Sequence, residues 1–221
     1  MKNIGISTET TGIKLDSSRR TMLTASAALG AISLAGCLDD TPDIPSVESL
    51  PRPIKGNADS EVTVAVFEDY MCSHCATFVQ QVMPQLQANY IDTDVIRFEF
   101  YDYPIPVSNT LSYTAAEVAR SVQNNVGMDA FWDFNAAVFD NQSSINRPAD
   151  LYDLAENVGA DRTTVRNEAR ADVYRGIVEA DRETGTQMGV RGTPYVFVNG
   201  EYLENPQYAR IESRIQEELS Q

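Results

Sequence analysis

Glu61-Val62-Thr63-Val64-Ala65-Val66-Phe67 runs through Glu68-Asp69-Tyr70-Met71 into Cys72-Ser73-His74-Cys75, and this stretch decides the fold. The β-branched run over 61–67 predicts a strand. Beyond it, Cys75, Val79, Val82, Met83 and Leu86 recur at three- and four-residue spacing, which predicts an amphipathic helix kinked by Pro84. A strand therefore delivers two thiols to a helix N-terminus. There the unpaired backbone N–H groups and the positive end of the helix dipole favour a thiolate, the nucleophile of disulfide exchange. Cys72 is read as that nucleophile. Cys75, one turn further in, is read as the resolving thiol that attacks the mixed disulfide formed by Cys72. His74 is the sole histidine of the chain, and an imidazolium beside Cys72 would lower the thiol pKa further. Ser73 and His74 are thus the candidate thiolate-tuning residues.

Other uses of two cysteines fit poorly. Zinc needs four ligands, and no Cys or His lies beyond Cys75. Haem attachment needs His where Ala76 stands, and a copper carrier needs a distant His. A structural disulfide closing so short a loop would constrain little of the unfolded chain. The expected cofactor is therefore none beyond a redox-active Cys72–Cys75 disulfide, with no metal.

Upstream, residues 1–36 read as an export signal. Ser18-Arg19-Arg20-Thr21-Met22-Leu23 carries the arginine pair of twin-arginine export, with Met22 where Phe is more usual. The small and apolar run that follows is too short, and too rich in Ser, Thr and Gly, to span a bilayer. It ends in Leu34-Ala35-Gly36-Cys37, which resembles a lipobox and makes Cys37 the candidate lipid attachment site; the alternative is a small buried residue of the leader. Residues 37–58, with four prolines and no apolar periodicity, are expected to be a tether with a reach on the order of 25 Å. The expected location is extracytoplasmic, on the outer face of the cell membrane, with the bilayer engaged through Cys37.

In the 221 residues, 32 acidic side chains face 17 basic ones for a net charge of −15. Four of the basic residues (Lys2, Lys14, Arg19, Arg20) fall in the leader, so the remainder is more acidic still. Such a surface argues against nucleic acid as a partner and suits high salt, where self-repulsion is screened. The composition fits a halophilic host or simply a soluble acidic protein.

Downstream, Val95-Ile96-Arg97-Phe98-Glu99-Phe100 alternates as a strand with one buried face. Helical stripes follow: Leu111, Ala115, Val118, Ala119 and Val122; Phe131, Phe134 and Val138; Leu151, Leu154, Ala155 and Val158 with Gly159 as a stop; then Val165, Ala169, Val173, Ile177 and Ala180. Tyr195-Val196-Phe197-Val198 returns to strand, Asn199-Gly200 reads as a hairpin turn, and a last helix presents Tyr208, Ile211, Ile215 and Leu219. The expected fold is α/β, one domain over 59–221, with a helical insertion at about 104–186 between the second strand and the strand at 195–198.

Three pieces of this chain, Phe67-Glu68-Asp69-Tyr70-Met71-Cys72-Ser73-His74-Cys75, Phe131-Trp132-Asp133-Phe134, and Gly189-Val190-Arg191-Gly192-Thr193-Pro194 before Val196-Phe197-Val198-Asn199-Gly200, resemble the DsbA-like branch of the thioredoxin superfamily. The likeness covers about residues 59–221. It implies a thioredoxin-like fold, a cis Pro194 lying against the active-site disulfide, and Thr193 and Pro194 binding an extended substrate segment through the Thr193 backbone. It implies exported protein thiols as substrates, a membrane redox partner and a monomer.

Two departures stand out. Val66 occupies the place, six residues before Cys72, where many relatives keep a buried acid that assists proton transfer to the second thiol; Glu68 or Asp69 could substitute, or both could be solvated loop carboxylates. Thr193 before the proline is commoner in isomerases, yet residues 38–58 leave no room for a dimerisation domain. The expected function is oxidation of exported thiols. The alternatives are an extracytoplasmic reductase, for instance in cytochrome maturation, and a non-catalytic module that holds unfolded clients beside Pro194.

Overall fold

The computed structural model describes residues 46–105 and 109–221; Arg19, Arg20 and Cys37 lie outside the described residues. Five strands form one sheet: β1 (Ile54–Gly56), β2 (Thr63–Glu68), β3 (Arg97–Asp102), β4 (Tyr195–Val198) and β5 (Glu201–Leu203), in the order β1-β3-β2-β4-β5. β2 pairs parallel with β3 and antiparallel with β4. β2 is central and buried on both faces, which accounts for the continuous Val64-Ala65-Val66-Phe67 run.

The first helix is broken: α1 (Ser73–Gln81) gives way at Val82 to α2 (Met83–Leu86) and then to a single π turn at Gln87–Ile91. Pro84 sits in the first turn of α2, where its missing N–H costs nothing. Between β3 and β4 lie α3 (Asn109–Asn125), α4 (Met128–Asn141), α5 (Pro148–Asn157), α6 (Arg162–Arg170) and α7 (Arg175–Gln187), the expected insertion. The stripe from Val165 to Ala180 is divided between α6 and α7, because Asp172 between them adopts φ +51°. The Asn199-Gly200 turn has φ +48° and +80°, as a two-residue hairpin requires. The chain closes with α8 (Tyr208–Glu218), which buries Ile211 and Ile215 while Leu219 faces solvent.

One sheet face, with Val64, Val66, Phe98, Phe100 and Val196, joins α1, α3, α4 and α8 in a single apolar core that includes Cys75. The expected packing role of Phe131 and Phe134 is met there, since both are fully buried. The opposite face carries Ala65, Phe67 and Phe197 under α7. Gly185 permits that contact: a Cβ there would come within 2.8 Å of the Tyr103 ring and 2.9 Å of the Phe67 ring.

The stretch assigned to the tether needs correction. Residues 46–58 belong to the folded domain: Val47 N–H donates to the Val173 carbonyl, Leu50 packs against the Val173–Tyr174–Ile177 cluster, and β1 pairs antiparallel with β3. Its prolines are tolerated because β1 is an edge strand. Among the described residues no helix is long and apolar enough to cross a membrane.

Candidate active site

β2 ends at Glu68, and the chain turns through Asp69-Tyr70-Met71 into the N-cap of α1, which is Cys72 itself (φ −82°, ψ 120°). Three bonds shape this turn. Cys72 N–H donates to the Asp69 carbonyl at 3.0 Å, and the Asp69 carboxylate accepts from Met71 N–H and Ile105 N–H, both at 2.7 Å. Asp69 is therefore a buried brace, and Glu68 is buried too at 3 % exposure, so neither is a solvated loop carboxylate.

Both Cys72 and Cys75 are free thiols here, and both are buried. Their exposures differ less than a helix-start position suggests, 5 % for Cys72 against none for Cys75, because the Thr193 segment covers the first sulfur. Their acidities differ greatly. The Cys72 thiol is lowered to about 5, foremost by the Cys75 thiol donating to it, against the opposing effect of burial; the Thr193 side chain and the backbone N–H groups of Cys75 and His74 add to the lowering. Cys75 is pushed well above its usual range by burial, by its hydrogen bond to Cys72 and by the charge of Glu68. The structure thus separates a thiolate from a neutral thiol within one turn of helix.

Ser73 and His74 are exposed at the start of α1. Among the leading causes of the Cys72 shift, His74 enters through its backbone N–H and not through its imidazole.

Thr193–Pro194 is cis. The Thr193 carbonyl oxygen lies 3.4 Å from Cys72 Sγ, and the buried Thr193 Oγ1 has no hydrogen-bond partner among the described residues. Alongside runs a groove of about 400 Å³ whose lining includes His74, Phe78, Gln81, Pro194 and Pro206. Thr193, distant in sequence from the cysteines, is brought directly to Cys72, and Pro194 lines the groove beside it.

Several residues of this neighbourhood were not singled out from sequence. Gln142, just past α4, donates from Nε2 to the carbonyls of Tyr70 and Cys72. Asp102, the last residue of β3, lies beside Glu68 in the parallel register and is paired with Arg120 of α3. A signal for the acids was present: Val64, Val66 and Glu68, like Phe98, Phe100 and Asp102, share one strand phase, so each acid falls on a buried position. Among the described residues no cluster of His, Cys, Asp and Glu could hold a metal ion.

Comparison with known proteins places this geometry. A family model described as Thioredoxin matches residues 48–217. The disulfide bond formation protein D of Bacillus subtilis is 28% identical over 181 residues, 79% of each chain. A probable disulfide bond formation protein D of Bacillus cereus is 26% identical over 170 residues, 74% of this chain and 77% of its own. Among solved structures, oxidised BdbD from Bacillus subtilis superimposes with TM-score 0.71 at 27% identity, covering 80% of this chain and all of the other. Chlamydia trachomatis DsbA shares the fold, with TM-score 0.68 at 19% identity over 79% of this chain and 95% of its own.

Proposed function

The chain belongs to the thioredoxin family, and from that premise we propose that Cys72 and Cys75 are its working redox pair and that it oxidises the thiols of exported proteins. It is a thiol–disulfide oxidoreductase of the DsbA-like kind, whose chemistry lies in a cysteine disulfide. The observation that carries the oxidative direction is the Cys72 thiol lowered to about 5 beside a Cys75 thiol raised well above its usual range. A stabilised thiolate favours the reduced protein, so the disulfide form gives up its bond readily.

In the proposed cycle a client thiolate attacks Cys72 Sγ of the disulfide. The electron pair of the S–S bond passes to Cys75, which takes a proton. A second client thiolate then attacks the client sulfur of the mixed disulfide, and Cys72 leaves as a thiolate, so the client is oxidised by two electrons and the protein reduced by two. An extended client segment lies in the groove beside Thr193 and Pro194, where Phe78, Pro194 and Pro206 offer apolar contact. A membrane redox partner then restores the disulfide. Twin-arginine export through Arg19 and Arg20, lipid attachment at Cys37 and service in high salt complete the reading; the net charge of −15 and the leader sequence support them.

Selective alkylation followed by substitution tests the assignment. Reduced protein should be labelled at Cys72 with a midpoint near pH 5 and at Cys75 only under alkaline or denaturing conditions. Cys72→Ser should abolish exchange, and Cys75→Ser should accumulate mixed disulfides with clients. Faster labelling of Cys75, or exchange that survives Cys72→Ser, would overturn the roles.

A further inference from the structure

Residues 191–194, which carry Thr193 past Cys72, make no backbone–backbone hydrogen bond among the described residues. A segment left open in this way can pair with an extended client, and the pairing is tightest when the protein holds the segment still from both ends. One end is Tyr195, the first residue of β4, in register with Phe67 of β2. The other is Val190, just past the end of α7. Val190 is buried, and its N–H donates to the Gly185 carbonyl at 2.8 Å.

The Val190 carbonyl is held by Tyr103, the residue that follows β3. Tyr103 Oη donates to it at 3.0 Å in a buried hydrogen bond. A carbonyl can only accept, so the phenol proton is committed to this bond. The Tyr103 N–H donates in turn to the carbonyl of Glu68, the last residue of β2, at 2.8 Å. Cys72 lies one short turn beyond Glu68. A single residue thus ties the strand that delivers the cysteines to the loop that delivers Thr193. Its ring is confined as well, edge-on to Phe67 with centroids 6.1 Å apart and close against Gly185 of α7, so the hydroxyl has little freedom to leave Val190.

We propose that Tyr103 is a positioning residue for client binding: by holding the Val190 carbonyl it sets the distance between the Cys72 turn and the Arg191-Gly192-Thr193 segment, along which an extended client strand pairs. The inference rests on the reading of Cys72 as the attacked sulfur and of the Thr193–Pro194 segment as the client-binding edge. Cys72 Sγ lies 3.4 Å from the Thr193 carbonyl oxygen, so a client cysteine bonded to Cys72 must lay its own backbone alongside Thr193. A shift of about 1 Å in that segment spoils one contact or the other. A small thiol such as dithiothreitol has no backbone to place and reacts at Cys72 free of this constraint.

The test is single-turnover oxidation of a reduced cysteine-containing peptide by the disulfide form of the full chain, with reduction by dithiothreitol as the control. Tyr103→Phe keeps the ring and removes the donor; it should raise the half-saturating peptide concentration by about fivefold or more, since a buried carbonyl loses its partner. The limiting rate at saturating peptide and the rate with dithiothreitol should stay within about twofold of wild type, because the sulfur chemistry is untouched. Gly185→Ala reaches the same contact from α7 and gives the reading if Tyr103→Phe does not fold. Its Cβ would come within 2.8 Å of the Tyr103 ring, and displacing the hydroxyl should raise half-saturation in the same sense. A role in stability alone would lower the unfolding temperature of Tyr103→Phe and leave half-saturation unchanged, which would overturn the proposal. An equal loss of rate with peptide and with dithiothreitol would overturn it too, by placing Tyr103 in the sulfur chemistry. Failure of the cysteine assignment is read separately, as exchange retained by Cys72→Ser.

Discussion

Gln142 Nε2 donates to the Cys72 carbonyl at 3.0 Å and to the Tyr70 carbonyl at 2.8 Å, so a residue of the helical insertion ties down the turn that presents the active-site thiol. The insertion is therefore more than a cap on the sheet. It fixes the entry into α1.

Gln142→Ala should lower the unfolding free energy by about 1–3 kcal/mol, since it leaves the partly buried Tyr70 carbonyl without its donor. Denaturant unfolding of the reduced and oxidised forms checks this. A change near zero in both would mean that water replaces the amide and that Gln142 does not hold the turn.

Most of the frame was legible in the sequence because its signals are local. The strand before Cys72, the apolar stripes of α3, α4 and α5, and the Asn199-Gly200 turn each announce themselves within a short window. β1 did not. Its three residues lie among prolines and become a strand through pairing with β3, a tertiary fact that no local pattern carries. The polar network escaped for a related reason. Asp102, Arg120 and Asp181 sit on three elements, and acids in so acidic a chain read as solvated until the fold places them against one another. The backbone N–H of His74 also acts on the Cys72 sulfur, a contribution that the sequence does not display as it displays the neighbouring imidazole.

In the disulfide form, where Cys72 does not titrate, Glu117 and Asp102 should make stability fall as pH rises through the weakly acidic range. Glu117 is buried against Arg175 at 2.6 Å, and burial pushes it up to about 7; Asp102 is pushed up to about 6, also by burial. Between the ordinary carboxylate range and those values the folded protein binds more protons than the unfolded chain, so raising the pH favours unfolding. Thermal unfolding of Glu117→Gln should lose part of this slope, up to about 3 kcal/mol between pH 4.5 and 7. An unchanged slope would mean that Glu117 is already ionised when folded.

Export and anchoring should separate. Arg19→Lys combined with Arg20→Lys should retain precursor inside the cell, whereas Cys37→Ser should abolish lipid labelling and leave the unfolding temperature of the domain unchanged. Cell fractionation with lipid labelling reads both outcomes. Normal export of the double variant would refute the twin-arginine route.

The reduction potential of the Cys72–Cys75 couple, measured at pH 7 in high salt against a glutathione buffer, tests the oxidative reading most directly. A thiol lowered to about 5 stabilises the reduced protein. For a thiol with an ordinary value near 9 the gain at pH 7 is about 2.7 kcal/mol, or roughly 60 mV for two electrons. The couple should therefore lie above about −270 mV, the value for thioredoxin, and toward the value of about −120 mV for DsbA. A potential at or below about −270 mV would contradict the account and make the protein a reductant.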